Sequence, residues 1–392
     1  MENNIITNSI KYIGANDKTI DLFENQYIVP NGMAYNSYII MDDKIAIMDT
    51  IDKSKKDEWL DNLKRELKDK KPDYLIVSHM EPDHSACIKV LVDMYPDMKI
   101  VGNIKTFEFL KQFLQIDDLD TKKLVVKEND ELNLGRHKLK FIMAPMIHWP
   151  EVMMTYEAEE QVLFTADAFG KFGALDADED WTCEARRYYF GIVGKYGMQV
   201  QMLLQKIKKL NVKMICPLHG PILKEDISSY VEKYDIWSKY EAETKGIFIA
   251  CASIHGNTYN AVKELEKILK ELGEENIIIS DLCREDWAEC VENAFRYDRI
   301  ILAASSYNMG VFTPMHNFLE SLLERNYQNK KIGLIENGTW APSANKTMQG
   351  ILEKMKNIEI CENKVTIKST LDDSSREALS ILAKEITNLK KI

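Results

Sequence analysis

Two histidines, a glutamate and an aspartate lie within six residues of the stretch "SHMEPDHSACI", at His79, Glu81, Asp83 and His84. Imidazole and carboxylate alternating along a strand exit let one short loop fan several ligands around one or two ions. Three further candidates follow other apolar runs: His148 after "FIMAPMI", Asp167 after "VLFTA" and His219 after "MICPL". Ligands carried at the same end of neighbouring strands converge, and rigid strands hold them well. Taken singly, each would read as a cap, an Asx turn or a packed histidine. Taken together, they predict a metal centre. The histidine census agrees: of seven in the chain, five (79, 84, 148, 219 and 255) stand at strand-to-loop junctions, while His137 and His316 read as structural. Glu81, Asp83 and Asp167 make the donor set hard and anionic, which suits iron in both its oxidation states and allows a carboxylate to bridge two ions.

These ligands need strands beneath them. "PDYLIV" is a short buried strand feeding the first loop, and "YNSYIIMDDKIAIMDT" (35–50) reads as two strands around an Asp-Asp turn. "KLKFIMAP", "EEQVLFTAD" and "VKMICPLHG" are further strands, while 53–69 and 196–210 have helical spacing, the former with Trp59, Leu63 and Leu67 on one face. After "SKYEAETKG" (238–246) the rhythm changes. Five strands, "GIFIACAS", "NIIISDL", "DRIILAAS", "KIGLIEN" and "NKVTIK", alternate with helical segments at 258–272, 286–296, 314–325, 341–356 and 373–389. Strict alternation predicts a parallel sheet covered by helices on both faces. The expected domains are 1–243 and 244–392.

The second domain carries its own constellation. "IACASIHGNTYNAV" passes from strand to helix through Ser253, Ile254, His255, Gly256, Asn257 and Thr258. Small hydroxyl residues at a helix start form a phosphate cradle from backbone N–H groups, with no Lys or Arg required. The loop after the third strand brings Ser305, Ser306, Tyr307, Asn308 and Gly310, and the loop after the fourth brings Asn337, Gly338, Thr339 and Trp340. An aromatic beside small or amide residues at strand C-termini suits a planar ring system. No G-x-G-x-x-G turn and no P-loop lysine occurs, so dinucleotide and nucleoside triphosphate sites are not expected.

Composition narrows the class further. A net charge of −11 argues against nucleic acid. No apolar run reaches membrane-spanning length. The segment "MENNIITNSIKYIG" lacks a basic start and an apolar core, so a cytoplasmic protein is expected. Seven scattered cysteines form no C-x-x-C pair, which predicts reduced thiols and no cysteine-bound iron.

The run His79-x-Glu81-x-Asp83-His84 resembles the metallo-β-lactamase motif, with Glu81 in the place of its second histidine. With His148, "TADAFG", "PLHGP" and the flavodoxin-like loops added, essentially the whole chain resembles the flavodiiron proteins (A-type flavoproteins). The resemblance implies an α/β fold: a metallo-β-lactamase-like αββα sandwich followed by a flavodoxin-like, doubly wound, five-stranded parallel sheet. It implies one iron on His79, Glu81 and His148, a second on Asp83, His84 and His219, and Asp167 between them. FMN would occupy the second domain, although Cys251 stands where flavodoxins usually carry an aromatic. The implied activity is reduction of O2 to water, of NO to N2O, or both. Electrons would come from an external donor such as rubredoxin, and a head-to-tail homodimer or a homotetramer would bring flavin to iron. Trp149 and Tyr196 are expected to line the pocket, Tyr196 as a proton donor. Two other readings fit parts of the sequence: a dizinc hydrolase carrying a flavodoxin domain, which Glu81 disfavours, and a plain FMN electron carrier.

Overall fold

In the computed structural model, which describes residues 5–388, the chain folds as two units, Met1–Asp235 and Ile236–Ile392. The second unit's first strand spans Thr244–Ala252, eight residues past the start of the unit at Ile236.

The first unit is built on two sheets. One has six strands in the order Ile10–Tyr12, Tyr38–Ile40, Ala46–Met48, Tyr74–Ile76, Lys99–Gly102 and Lys123–Val125. Its first two pairings are antiparallel and the remainder parallel. The other has five strands, Glu131–Asn133, Lys138–Met143, Met153–Glu157, Val162–Phe164 and Met214–Cys216, antiparallel except for the last pair. Many of these strands are only three residues long, and the central ones are buried throughout, which is why they read as unbroken apolar runs. Tyr38, Ile40, Met48, Ile76 and Val101 of one sheet share a core with Leu139, Phe141, Met153, Val162 and Phe164 of the other. Helix Lys56–Leu67 adds Trp59, Leu60, Leu63 and Leu67 as one buried stripe, and helix Gly197–Ile207 adds Val200, Leu203, Leu204 and Ile207. Truncating one such side chain, as in Leu63→Ala, costs about 2–5 kcal/mol. This is the αββα sandwich.

The second unit holds a parallel sheet in the order Ile277–Asp281, Thr244–Ala252, Tyr297–Tyr307, Gln328–Asn337 and Lys356–Ile360. The order reverses between the first and third strands in sequence, placing a crevice at their C-terminal ends. The fifth strand is interrupted. Lys356–Ile360 pairs with the first half of Gln328–Asn337 and Val365–Ile367 with the second half. "NKVTIK" is thus the latter part of a broken edge strand. Its first part occupies residues adjoining the segment read as helix 341–356, whose helix spans Ala344–Leu352. Glu385 holds the break by accepting from Glu362 N and Asn363 N, at 2.6 and 3.0 Å. Among the described residues, no helix is long and apolar enough to cross a membrane.

Candidate functional site

The loop that carries four of the metal-grade side chains is fixed by its own backbone. Asp49 sits just past strand Ala46–Met48, with φ +53°, and accepts from Ser78 N at 2.6 Å. Pro82 opens the short helix Pro82–Ser85, a position where its missing N–H costs nothing. Ser85 Oγ donates to Met80 O at 2.8 Å, and Thr50 Oγ1 donates to His84 O at 2.6 Å. His148 rides the connection between two antiparallel strands, closed by Ala144 N on Val152 O at 2.9 Å. Asp167 and His219 follow neighbouring parallel strands, and Leu218 N on Ala166 O (2.9 Å) ties their loops together.

All seven side chains converge. Asp167 is buried to 1% exposure, and its two oxygens face different partners. Oδ2 lies 2.9 Å from His148 Nε2 and 3.5 Å from His79 Nε2, and Glu81 Oε2 stands 3.1 and 3.2 Å from the same two nitrogens. Oδ1 lies 3.2 Å from His84 Nε2 and 3.7 Å from His219 Nε2, both of which are 3.2 Å from Asp83 Oδ2. The seven therefore sort into two sets, His79–Glu81–His148–Asp167 and Asp83–His84–His219, with Asp167 reaching both. Spacings near 3 Å are those of neighbouring ligands around an ion held at bonds of about 2.1 Å.

Hydrogen bonding does not account for this arrangement. Asp83 Oδ1, Asp83 Oδ2 and Asp167 Oδ1 are buried without a hydrogen-bond partner. His84 Nε2 and His219 Nε2 face each other at 3.1 Å. Two of the imidazoles are fixed from behind: His219 Nδ1 donates to Ala34 O at 2.8 Å, and His79 Nδ1 lies 2.7 Å from Glu151 Oε1, whereas His84 Nδ1 is buried without a partner. Such bonds hold the tautomer that aims the Nε2 lone pair inward. Without an ion, the cluster stores its charge as protons. Burial would lower the His148 pKa, but Asp167 and Glu81 outweigh it and raise it to about 9. Burial likewise opposes a charged His79, yet Asp167, Glu151 and Glu81 hold it well above the usual imidazole range. Asp167, despite its own burial, is held well below the carboxylate range by His79, His148 and His84.

Aromatic side chains wrap the cluster. Trp149 meets the His79 ring edge-on at 5.2 Å and packs against Phe109 and Phe113. Tyr188 lies 5.6 Å from the His219 ring, fully buried; burial and the charges of Asp167, Asp83, Glu81 and Glu24 push its hydroxyl pKa far up. Tyr196 is half-buried at the N-cap of helix Gly197–Ile207, and among the described residues no hydrogen bond or ring contact joins it to the cluster. Sequence reasoning passed over Tyr188, Glu24 and the role of Glu151. Glu151 alone left a trace, as a carboxylate three residues beyond His148, and the structure buries it fully.

In the second unit, a cleft of about 360 Å³ opens at the strand C-termini. Ser253, Ile254, His255, Asn257, Thr258, Ser305, Ser306, Tyr307, Asn308, Asn337, Gly338, Thr339 and Trp340 all line it. Gly256 and Gly310 shape its edges instead. Gly256 caps helix Asn257–Glu271 with φ +89° and accepts no side-chain neighbour, while Gly310 pairs with Tyr307 across a tight hairpin. Ser253 Oγ accepts from Gly256 N at 3.0 Å, and Thr258 and Ser305 hydroxyls meet at 3.1 Å. Among the described residues no lysine or arginine lines the cleft, so an anion there meets hydroxyls, N–H groups and a helix N-terminus. Met309, Ala341, Ser343 and Ser369 also line it and were not foreseen. Ser369 comes from beyond the broken fifth strand, joined to Asn337 by two bonds of 2.9 and 3.0 Å.

Residues 33–220 match the model of the ODP family beta lactamase, an interval that contains all seven clustered side chains. An uncharacterized protein of Methanocaldococcus jannaschii is 30% identical over 80% of this chain and 80% of its own length. The flavo-diiron protein of Clostridium acetobutylicum is 28% identical over 86% and 88%. The nitric oxide reductase of Moorella thermoacetica is 33% identical over 62% of this chain, which spans 63% of that enzyme's length. The chain belongs to the flavodiiron family. Its fold matches that of the solved rubredoxin oxygen:oxidoreductase of Desulfovibrio gigas, with a TM-score of 0.89 at 23% identity over 97% and 96% of the two chains. As a flavodiiron chain, it keeps the cluster wholly within the first unit and the cleft wholly within the second.

Proposed function

We propose that the protein is an oxidoreductase that reduces O2 to water, NO to N2O, or both, at a non-haem diiron site supplied by FMN. The observation that carries this reading is Asp167, one buried carboxylate whose two oxygens face two separate His/carboxylate sets. His79, Glu81 and His148 would hold one iron, Asp83, His84 and His219 the other, with Asp167 bridging. The fit rests on the unpartnered Asp83 and Asp167 oxygens and on the opposed His84 and His219 nitrogens, which an ion would satisfy. FMN fits the cleft by the same standard: hydroxyls and a helix N-terminus would hold its phosphate, and Tyr307 and Trp340 would offer aromatic surface to its ring. Two ferrous ions and a reduced flavin together supply the four electrons that O2 requires; coupling two NO molecules takes two.

The chain's own residues do the remainder. Glu151 orients His79, and Ala34 O orients His219. Trp149 shields the His79 side, and Tyr188 excludes water beside His219. Rubredoxin or a similar small carrier delivers electrons, consistent with the names of the relatives. Transfer needs near contact between flavin and iron, which we assign to a head-to-tail homodimer, with pairs of dimers forming a tetramer. The test is direct. Purified protein is assayed for iron and FMN, reduced anaerobically, and given separate pulses of O2 and NO at a gas electrode. Two irons and one FMN per chain with gas uptake support the reading. Zinc, no yellow colour and no uptake would replace it with a hydrolase.

A further inference from the structure

The turn that carries Asp167 is strained at two points. Ala166 before it and Phe169 after it both sit in the left-handed region, at φ +51° and +66°, where a side chain crowds the backbone. Residues held this way persist only when their surroundings over-determine them. Several bonds are internal to the turn or run to the neighbouring His219 loop. Thr165 Oγ1 donates to Ala168 O at 2.7 Å, Gly170 N to Asp167 O at 3.1 Å, and Leu218 N to Ala166 O at 2.9 Å. A further bond comes from outside both loops: Phe169 N donates to Tyr234 Oη at 2.5 Å. Tyr234 belongs to helix Ile227–Ser238, 65 positions away in sequence, and its ring stacks on Phe169 with centroids 4.2 Å apart and planes at 24°. Tyr189 packs against it edge-on at 5.0 Å. Phe169 and Tyr234 are both fully buried, so bulk water does not reach the pair. A phenylalanine would fill the same space as Tyr234; only the hydroxyl can accept from the turn.

The shared carboxylate makes a particular demand on that turn. Oδ2 of Asp167 has to face His79 and His148 while Oδ1 faces His84 and His219. A ligand that serves one ion can follow it as it shifts, whereas a ligand shared by two cannot follow both. Precision is therefore needed most at Asp167, and its backbone has to supply it. We propose that Tyr234 is the positioning residue for the shared carboxylate: its hydroxyl, by holding Phe169 N–H, fixes the turn from which Asp167 presents one oxygen to each ion set. Tyr234 is absent from both sets and acts through the Phe169 backbone. This inference rests on the diiron reading given above. Loosening the turn leaves His79, Glu81 and His148 to one ion and Asp83, His84 and His219 to the other, and disturbs only what the two have in common. The loss should therefore fall on the second ion to bind and on the coupling between the ions.

The test compares wild type with Tyr234→Phe and, as a control, Tyr156→Phe. The control deletes another buried tyrosine hydroxyl, one that donates to Asn211 O at 2.9 Å from a strand that carries no ligand. The whole chain, stripped of iron, is titrated with ferrous iron alone under anaerobic conditions against a competing chelator. Wild type should take up two ions per chain. Y234F should hold the second about tenfold more weakly, the low end of the cost of removing a residue that supports a ligand, with the first unchanged. After oxidation, magnetic susceptibility should show weaker coupling between the two ferric ions in Y234F. Y156F should match wild type in both measurements, whatever its Tm. A second ion held by Y234F as tightly as by wild type with the same coupling, or equal losses in Y156F, overturns the assignment. Should Y234F not fold, hydrogen exchange on wild type decides, because the stabilisation is reciprocal: ferrous iron should slow exchange of Phe169 N–H more than that of the amides of strand Met153–Glu157. Equal slowing overturns the proposal. Fewer than two ions in wild type sinks the diiron reading itself, whereas a normal wild type beside an unaltered Y234F sinks only the role of Tyr234.

Discussion

Asp167 is 1% exposed and Trp340 is 91% exposed, and they mark the two ways this chain builds a site. Around Asp167, charges are withdrawn from water and set against one another at about 3 Å, on loops locked by side-chain-to-backbone bonds. Around Trp340, nearly every group is neutral, and the cleft relies on hydroxyls, amides and one left-handed glycine. The contrast follows from what each must hold. A small multivalent ion repays the burial of several charges, because it brings more charge than the ligands themselves. A large cofactor with one phosphate is held by many weak contacts spread over area. Damage to the first region should therefore be abrupt, and damage to the second gradual.

The largest effect is expected at Asp167. Replacing it with Asn removes the one carboxylate shared by both sets while preserving shape. Iron content should fall below half and gas turnover by more than about 100-fold, since ligand loss exceeds the 10–100-fold cost of losing a supporting residue. FMN content should not change, because the cleft belongs to the other unit. Loss of flavin together with iron would mean that the two regions are not independent. One step down stands Glu151→Ala, which takes away the acceptor 2.7 Å from His79 Nδ1 and leaves that N–H buried without a partner. Iron affinity should drop about 10–100-fold, read by competition with a chelator.

Glu151 also shows where the sequence stops being legible. The seven clustered side chains were visible as candidates, because several chemistry-bearing residues at strand exits interrupt apolar runs together. Their assortment into two sets was implied by the family resemblance and agrees with the geometry. What joins His79 to Glu151, 72 positions away, is a tertiary contact with no local period. The same holds for Tyr188, at the end of the short helix Trp181–Tyr188, and for Ser369, which reaches the cleft from beyond a strand the sequence showed only in part. In the second unit, strand and helix alternation was legible because its central strands are nine to eleven residues long. The three-residue strands of the first unit give little periodicity to read, and the αββα sandwich came from the family likeness rather than from pattern.

Proton storage in the cluster gives a prediction for the iron-free protein. His148, with its pKa raised to about 9, stabilises the fold fully below its unfolded value, and that contribution disappears as pH climbs through about 9. Glu81 and Asp167, with lowered values, contribute above their unfolded pKa and lose that contribution only under acid. The Tm of the iron-free protein should thus decline between about pH 7 and pH 10, followed by calorimetry. Iron replaces those protons, so the loaded protein should show a much flatter curve on the alkaline side. A parallel decline in both forms would place the titrating groups elsewhere.

The smallest effects belong to the cleft, and they measure how evenly its binding is spread. Gly256→Ala adds a methyl where nothing lies within 4 Å, so its cost is purely the left-handed backbone at φ +89°. That amounts to about 1–2 kcal/mol, or roughly 5- to 30-fold weaker FMN binding by fluorescence quenching if the strain is felt in the bound state. Trp340→Ala should weaken FMN less than this. Trp340 is 91% exposed, so ordering it against the ring costs side-chain entropy that offsets part of a stacking gain of about 0.5–1.5 kcal/mol. Should Trp340→Ala instead release the flavin outright, binding in the cleft would be concentrated on a single residue. The second region would then resemble the first in its sensitivity, although one is charged and sealed and the other neutral and open.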